Sequence, residues 1–196
     1  MKTPEFLDAV KSGKIDFADF LLSEVDPSAD NNYAIQHAAR YGYTELFEFL
    51  ISFPSVDPSA NNNYCVRKAS EYHHKKILNL LLTDSRVDPS SENDYVLKNE
   101  VKHGNADIVE RLLKDPRVNP AAKNNNPIRV ASREGHVKIV KMLLDDDRVD
   151  PTAKNNIAYT EADYYGFRNT GVIRNMITNK IVEKTEKIVE KTEKNC

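Results

Sequence analysis

Apolar residues recur along the chain with the spacing of one helix face. Leu46, Phe47, Leu50 and Ile51 form the first such set, and sets of the same spacing follow in 31-residue steps. Positions i, i+1, i+4 and i+5 cover an arc of roughly 140° on a helix that turns about 100° per residue. A shorter, more polar helix is predicted before each set, as in residues 33–41. The pattern therefore predicts helix pairs that bury their apolar arcs by stacking on one another.

The loop that opens each repeat contains Val-Asp-Pro or its variant Val-Asn-Pro. These triplets begin at Val25, Val56, Val87, Val118 and Val149. Proline presets φ for a turn, and the Asp before it favours an Asx-turn. Each loop ends on a residue type that is a good helix N-cap and that tolerates left-handed φ. These loop-end residues are Asn32, Asn63, Asp94, Asn125 and Asn156. A repeat of this length indicates stacked units rather than separate domains.

A glycine between the two helices of a repeat suits the left-handed stop of the first helix. It recurs at Gly42, Gly104, Gly135 and Gly166. His73 takes this place in the second repeat, where we expect modest backbone strain. His73 and His74 are predicted to be surface residues of a turn.

Both ends of the chain depart from the regular repeat. Residues 4–23 are predicted to form a helix pair without a loop of its own, and the fifth repeat fits the apolar set only with a short insertion near residues 169–171. The tail repeats IVEKTEK, whose Glu and Lys at i, i+4 favour a helix. We predict an N-terminal capping helix pair (1–24), four 31-residue repeats (25–148), a modified C-terminal cap repeat (149–180) and a charged heptad-like tail (181–196).

The repeat resembles the ankyrin repeat, which pairs two antiparallel helices with a projecting loop. Ile35, Ala38 and Ala39 match the family motif Thr-Pro-Leu-His-x-Ala-Ala. In the fourth unit the matching residues are Pro127, Ile128, Ala131, Gly135 and His136. The loop wording is similar to that of divergent ankyrin repeats common in giant viruses and amoebal protists. The resemblance implies an all-α, ankyrin-type helical solenoid of about six helix-turn-helix units with short connecting loops.

Two departures from the family set further expectations. The Thr and His that normally brace neighbouring units are absent, and Tyr33, Tyr64 and Tyr95 stand where the family has Thr. We expect these rings to pack on neighbouring loops, a ligand-binding tyrosine ladder being the alternative. Glu100 stands where the other units have Ala. A buried carboxylate is costly unless it is neutralised, paired or exposed, so we expect the first helix of the third unit to be rotated or frayed.

Composition and motifs narrow the classes of function. A net charge of -2 and a pI near 6.2 give no bias toward nucleic acid or anionic membranes. No stretch approaches the ~18 apolar residues of a membrane span, and the first residues do not resemble a signal peptide. Two cysteines cannot build a disulfide framework or a zinc cluster. We expect a cytoplasmic or nuclear protein, or a protein of the host cytosol if its source is a virus.

Sequence motifs for catalysis or for metal binding are absent. There is no HExxH, CxxC, GxSxG or glycine-rich phosphate loop. Residues 145–147 are three aspartates without the spaced oxygen ligands of a calcium loop, and Arg148 is expected to neutralise them in part. We therefore predict a protein that is not an enzyme and that has no cofactor and no metal site.

In ankyrin proteins the partner usually binds a concave face, formed by loop tips and the exposed side of the first helix. The residues before the inter-helix glycine carry over to this face. They are Arg40, Tyr41, Glu71, Tyr72, Lys102, His103, Arg133, Glu134, Tyr164 and Tyr165. Tyr and Arg often dominate interface energies, although such positions can also be merely solvated. We predict a monomeric module that binds a protein of unknown identity, and neither nucleic acid nor membrane. The alternative is a structural spacer that self-associates weakly through its tail.

Overall fold

Every regular element that the computed structural model describes is an α-helix, as the periodicity predicts. The described residues are 4–13, 26–152, 158, 160 and 169–194. Their helices are α1 Pro4–Ser12, α2 Ala29–Tyr41, α3 Thr44–Ile51, α4 Ala60–Glu71, α5 Lys75–Leu81, α6 Ser91–Lys102, α7 Ala106–Lys114, α8 Ala122–Arg133, α9 Val137–Asp145 and α10 Thr170–Lys194. The predicted loop-end residue Asn156 and the glycine at Gly166 lie outside the described residues.

The chain divides into two compact units, residues 1–96 and 97–196, with the boundary inside α6. In the first unit α2 packs against α1, α3 and α4, and α5 packs against α3 and α4. In the second unit α9 packs against α7, α8 and α10. Corresponding helices of neighbouring repeats thus lie against one another within each unit, as stacking requires.

The apolar arcs of the second helices form the core of each unit. Their innermost side chains are Leu46, Phe47, Leu50, Ile77, Leu78, Leu81, Ile108, Val109, Leu112, Ile139, Val140 and Leu143, all buried. Burying a side chain of this size contributes about 1.5–3 kcal/mol. The fourth position of the arc is half-buried at Ile51, Leu82 and Leu113 and buried only at Leu144. The arc that faces the core is therefore narrower than the sequence pattern.

Three consecutive residues with left-handed backbone end each loop between residues 26 and 152. They occupy positions 30–32, 61–63, 92–94 and 123–125, with φ between 51 and 63°. The predicted left-handed φ is confirmed, but the predicted N-cap role is wrong for Asn32 and Asn63. An N-cap residue has φ and ψ in the β region. The Oδ1 atoms of Asn32 and Asn63 instead accept hydrogen bonds of 2.7 Å from the amides of Asp57 and Asp88, 25 residues further on.

Two further contacts hold the loop that begins at Val56 in the first unit. The carboxylate of Asp57 accepts hydrogen bonds from the amide and hydroxyl of Ser59 at 2.8 and 2.6 Å, which confirms the predicted Asx-turn. The guanidinium of Arg86 binds Asp84 at 2.6 Å and donates to the carbonyl of Val56 at 2.8 Å. This loop is thus held both by its own residues and by the following repeat.

The second unit repeats the arginine contact at the aspartate run. Arg148 binds the carboxylate of Asp146 at 2.6 Å, and its Nη1 donates to the carbonyl of Val118 at 2.9 Å. The hydrogen bond from Arg148 lowers the pKa of Asp146. The predicted partial neutralisation of the aspartates by Arg148 is therefore confirmed.

An aromatic ring one residue after the inter-helix glycine position contacts the preceding repeat. His74 donates from Nε2 to the carbonyl of Arg40 at 3.0 Å, and its ring lies directly against Gly42. Tyr43 makes the same contact one repeat earlier, with its hydroxyl 3.0 Å from the carbonyl of Lys11. The sequence predicts His74 as a surface residue of a turn, and this prediction is wrong. His74 is half-buried because its ring fills the space that Gly42 leaves.

His136 makes the equivalent contact in the second unit, 3.1 Å from the carbonyl of Lys102, with its ring against Gly104. These rings replace the bracing that the missing Thr and His provide in the resembled family. His73, at the glycine position of its repeat, has φ of 62°, so the strain predicted there is confirmed.

Glu100 is buried, 1% exposed, in the helical part of α6 that follows the left-handed residues 92–94. The predicted rotation or fraying of this helix is therefore wrong. Asn105 donates from Nδ2 to Oε2 of Glu100 at 2.7 Å. This hydrogen bond provides the pairing that a buried carboxyl requires.

The final helix α10 runs without a break through position 180/181, where the sequence predicts the start of the tail. Ile173 and Ile177 are buried, whereas Val182 and Val189 are exposed. Lys184 donates to the carbonyl of Val149 at 2.7 Å. The first part of the tail is thus attached to the loop of the fifth repeat.

Candidate partner-binding surface

Two tyrosines at the ends of α2 and α4 are exposed in the first unit. Tyr41 is 52% exposed and Tyr72 is 42% exposed. The sequence predicts that both tyrosines are exposed, because each ends a polar helix just before a left-handed residue, Gly42 or His73. Among the tyrosines and phenylalanines whose burial is described, no other is as exposed.

Arg40 lies between these two rings. Its Cζ is 5.5 Å from the ring centroid of Tyr41 and 5.9 Å from that of Tyr72. A hydrogen bond with Tyr64 raises the pKa of Arg40. Arg40, Tyr41 and Tyr72 form what we call the tyrosine–arginine surface. The positions 31 residues apart that the sequence singled out are thus brought together in this unit.

Glu71, also predicted to bind the partner, is occupied by contacts within the protein. Its carboxylate pairs with Lys68 at 2.6 Å and hydrogen-bonds Tyr95. This pairing raises the pKa of Lys68, whose Nζ lies 5.8 Å from the ring centroid of Tyr72. Glu71 therefore positions Lys68 beside the surface rather than offering a free carboxylate.

His37 belongs to the same surface, and the sequence analysis missed it. Helix α2 places Tyr33, His37 and Tyr41 four residues apart on one face, with centroid distances of 5.7 and 4.4 Å. Burial, followed by the charges of Lys11 and Arg40, lowers the pKa of His37. The i, i+4 spacing of three aromatic rings is the sequence signal that could have identified it.

In the second unit the predicted residues form contacts with one another or with the backbone. Arg133 and Glu134 pair at 2.9 Å, and the ring of His103 hydrogen-bonds the carbonyl of Asn99 at 2.8 Å. The exposed Lys102 offers its carbonyl to His136. Tyr164 and Tyr165 lie outside the described residues. The exposed aromatic surface that the structure describes is therefore in the first unit.

The described residues hold no group of three or more metal-ligating side chains. Cys65 is fully buried, and burial raises the pKa of its thiol to about 12. This thiol is therefore not an activated nucleophile at neutral pH. None of the described helices is both long and apolar enough to cross a membrane.

The chain was compared with known protein families and solved structures. The sequence profile of "Ankyrin repeats (3 copies)" matches residues 6–93 and 68–155. An ankyrin repeat domain from Acinetobacter baumannii AYE, solved by crystallography, superposes with a TM-score of 0.70 at 21% identity, over 88% of this chain and 95% of that domain. No curated protein matches the sequence. The structural likeness confirms the predicted ankyrin-type fold class, while a viral or protist origin stays a prediction.

Proposed function

The chain belongs to the ankyrin-repeat family, and we propose that it is a non-catalytic module that binds a protein partner through a concave face. Ankyrin repeats generally mediate protein–protein interactions and are typically non-catalytic. The predicted residues Arg40, Tyr41 and Tyr72 supply the centre of this face in the first unit.

The exposure of Tyr41 and Tyr72 beside Arg40 is the observation that carries the proposal. Tyr and Arg are the residue types enriched among the few side chains that dominate binding energy. A buried tyrosine removes a large apolar area from water, and its hydroxyl still finds a hydrogen-bond partner. Two exposed rings that flank one guanidinium therefore offer the composition of an interface centre rather than that of an ordinary solvated surface.

The surface is also ordered before any partner binds. Arg40 contacts both rings and hydrogen-bonds Tyr64, while Lys68 is paired with Glu71 beside Tyr72. Immobilising a flexible side chain on binding costs about 0.5–1.5 kcal/mol. Contacts already formed in the free protein reduce this cost, which favours binding through these residues.

The exposed valines of α10 favour a second candidate function, a spacer that self-associates through its tail. Val182 and Val189 are 48% and 50% exposed on the same helix, seven residues apart. Two such heptads provide a short apolar stripe, too little to form a coiled coil by itself. The valines therefore serve as a matched control for the tyrosines, with similar exposure.

We expect the double substitution Tyr41→Ala and Tyr72→Ala to weaken partner binding at least tenfold. Each lost interface tyrosine costs more than about 1 kcal/mol, and about 1.4 kcal/mol is a factor of ten. The partner is first identified by affinity capture from the native cell with mass spectrometry. Calorimetry then measures its affinity for the wild type, for this tyrosine variant and for a control variant. Circular dichroism checks that helicity is unchanged.

The control carries Val182→Ala and Val189→Ala and is expected to bind the partner like the wild type. Unchanged affinity in the tyrosine variant would refute the proposed surface. Loss of affinity in the valine variant alone, or loss of self-association on sedimentation, would favour the spacer.

A further inference from the structure

A cavity of about 490 Å³ opens beside the tyrosine–arginine surface in the first unit. Its walls come from the end of α1, one face of α2, and the tyrosines that begin the neighbouring helical segments. Those walls include Lys11, His37, Arg40, Tyr41, Tyr43 and Tyr64. A volume of this size lies within the range of about 300–1,000 Å³ that is typical of ligand sites.

The lining of this cavity is positively charged. Lys11 and Arg40 both line it, and none of the described residues that line it is an Asp or Glu. Within the described residues neither cation forms an ion pair. Burial lowers the pKa of His37, and the charges of Lys11 and Arg40 lower it further, so both cations act on a ring in the cavity wall. An anion placed here would face two cations at the protein surface, where charge pairs are stronger than in bulk water.

Aromatic walls limit which anion fits. The rings of Tyr41 and His37 contact each other in a tilted arrangement with centroids 4.4 Å apart, and the rings of Tyr41 and Tyr43 stack with centroids 6.1 Å apart. The Cζ of Arg40 lies 5.5 Å from the ring centroid of Tyr41, so its planar guanidinium is next to the aromatic wall. A planar carboxylate matches the fork of a guanidinium, and an apolar neighbour of that carboxylate can cover the rings.

We propose that this cavity binds an acidic peptide segment of the partner, with a Glu or Asp carboxylate on Arg40 and Lys11 and an adjacent apolar or aromatic residue against Tyr41. The inference rests on the proposed function and names the chemistry of the partner at that surface. It also assigns the two cations the role of binding the carboxylate, which is separate from the role of the exposed Tyr72 ring in the interface.

The test uses two fluorescein-labelled seven-residue peptides of Gly and Ser, one with a central Glu-Phe-Glu and one with Gln-Phe-Gln. We expect the full chain to bind the Glu peptide at least tenfold more tightly in low salt, by fluorescence polarisation. Added salt should reduce this preference, because charge pairs near the surface are screened. The NMR signals of the His37 ring should shift with the Glu peptide. Equal binding of the two peptides would overturn the proposal.

The double variant Lys11→Gln and Arg40→Gln should lose the preference, while Lys75→Gln, an exposed cation outside the cavity, should keep it. Retention of the preference by the double variant would also overturn the proposal, as would tight binding of a phosphoserine version of the peptide without binding of the Glu version. If this variant still binds the whole partner and the tyrosine variant does not, the cavity proposal fails while the proposed function stands. Thermal melts confirm that each variant is folded.

Discussion

Replacement of Gly42 by alanine is expected to lower the free energy of unfolding by about 3 kcal/mol, because three costs coincide. Gly42 has φ of 77°, where an L-residue costs about 1–2 kcal/mol. The added Cβ would lie 2.5 Å from two ring atoms of His74, which real atoms do not tolerate. The ring must move, and its hydrogen bond to the carbonyl of Arg40 is then lost. Urea denaturation measures the change.

Gly171→Ala is the matched control, because no atom lies within 4 Å of a Cβ added there. Gly171 is in α10, where alanine is the better helix former, so we expect unchanged or slightly higher stability. The double variant Gly42→Ala and His74→Ala removes the clash, and its loss should be smaller than the sum of the two single losses. Equal stability of Gly42→Ala and wild type would show that the His74 ring does not brace the repeats.

The second large effect is expected at Asn125, the loop-end residue of the second unit. Its Oδ1 accepts a hydrogen bond of 2.9 Å from the amide of Asp150, and the side chain is buried. Asn125→Ala leaves this amide without its partner and places alanine in a left-handed conformation. We expect a loss of about 2–5 kcal/mol in the free energy of unfolding, the sum of these two costs.

Asn124 separates the two costs. It has φ of 58°, against 55° for Asn125, but its side chain is exposed. Asn124→Ala therefore carries the backbone cost alone, and the difference between the variants, about 1–3 kcal/mol, reports the contact between repeats. The two variants are compared by chemical denaturation. Equal losses would mean that the asparagine at the loop end acts only through its backbone.

The repeat period was sufficient to predict the helix pairs and their core. Leu46, Phe47 and Leu50 recur as buried residues in the three repeats that follow, because each repeat must cover the same arc of its neighbour. Ile51 is only half-buried, since the stacked helix covers a narrower face than the apolar spacing suggests. Periodicity reports which side of a helix faces inward, and the width of the contact depends on how the helices pack.

Contacts between repeats were the harder part to predict. The composition of the loop ends fits both an N-cap and a left-handed residue, and Asn32 adopts the second with its side chain on Asp57. The ring of His74 replaces the expected Thr-His bracing from a different position in the repeat. Both outcomes depend on the offset between stacked repeats, which a sequence period does not contain.

The candidate surface could likewise be predicted only in part from the sequence. Tyr41 and Tyr72 follow from their place before the inter-helix residue, and the structure does expose them. His37 shares a face of α2 with Tyr41, whereas Lys11 joins them only through packing of α1 on α2. The pairing of Glu71 with Lys68 and Tyr95 could not be read from the repeat, because it uses residues at three different positions of it.

The most direct test of the proposed surface is site-specific photo-crosslinking to the partner. A benzoylphenylalanine is placed at Tyr72 in one variant and at Val182 in another, two positions of similar exposure. The proposed surface predicts that the captured partner is crosslinked from position 72 and not from position 182, with the crosslinked partner peptide containing Glu or Asp. A partner crosslinked from position 182 and not from position 72 would contradict it.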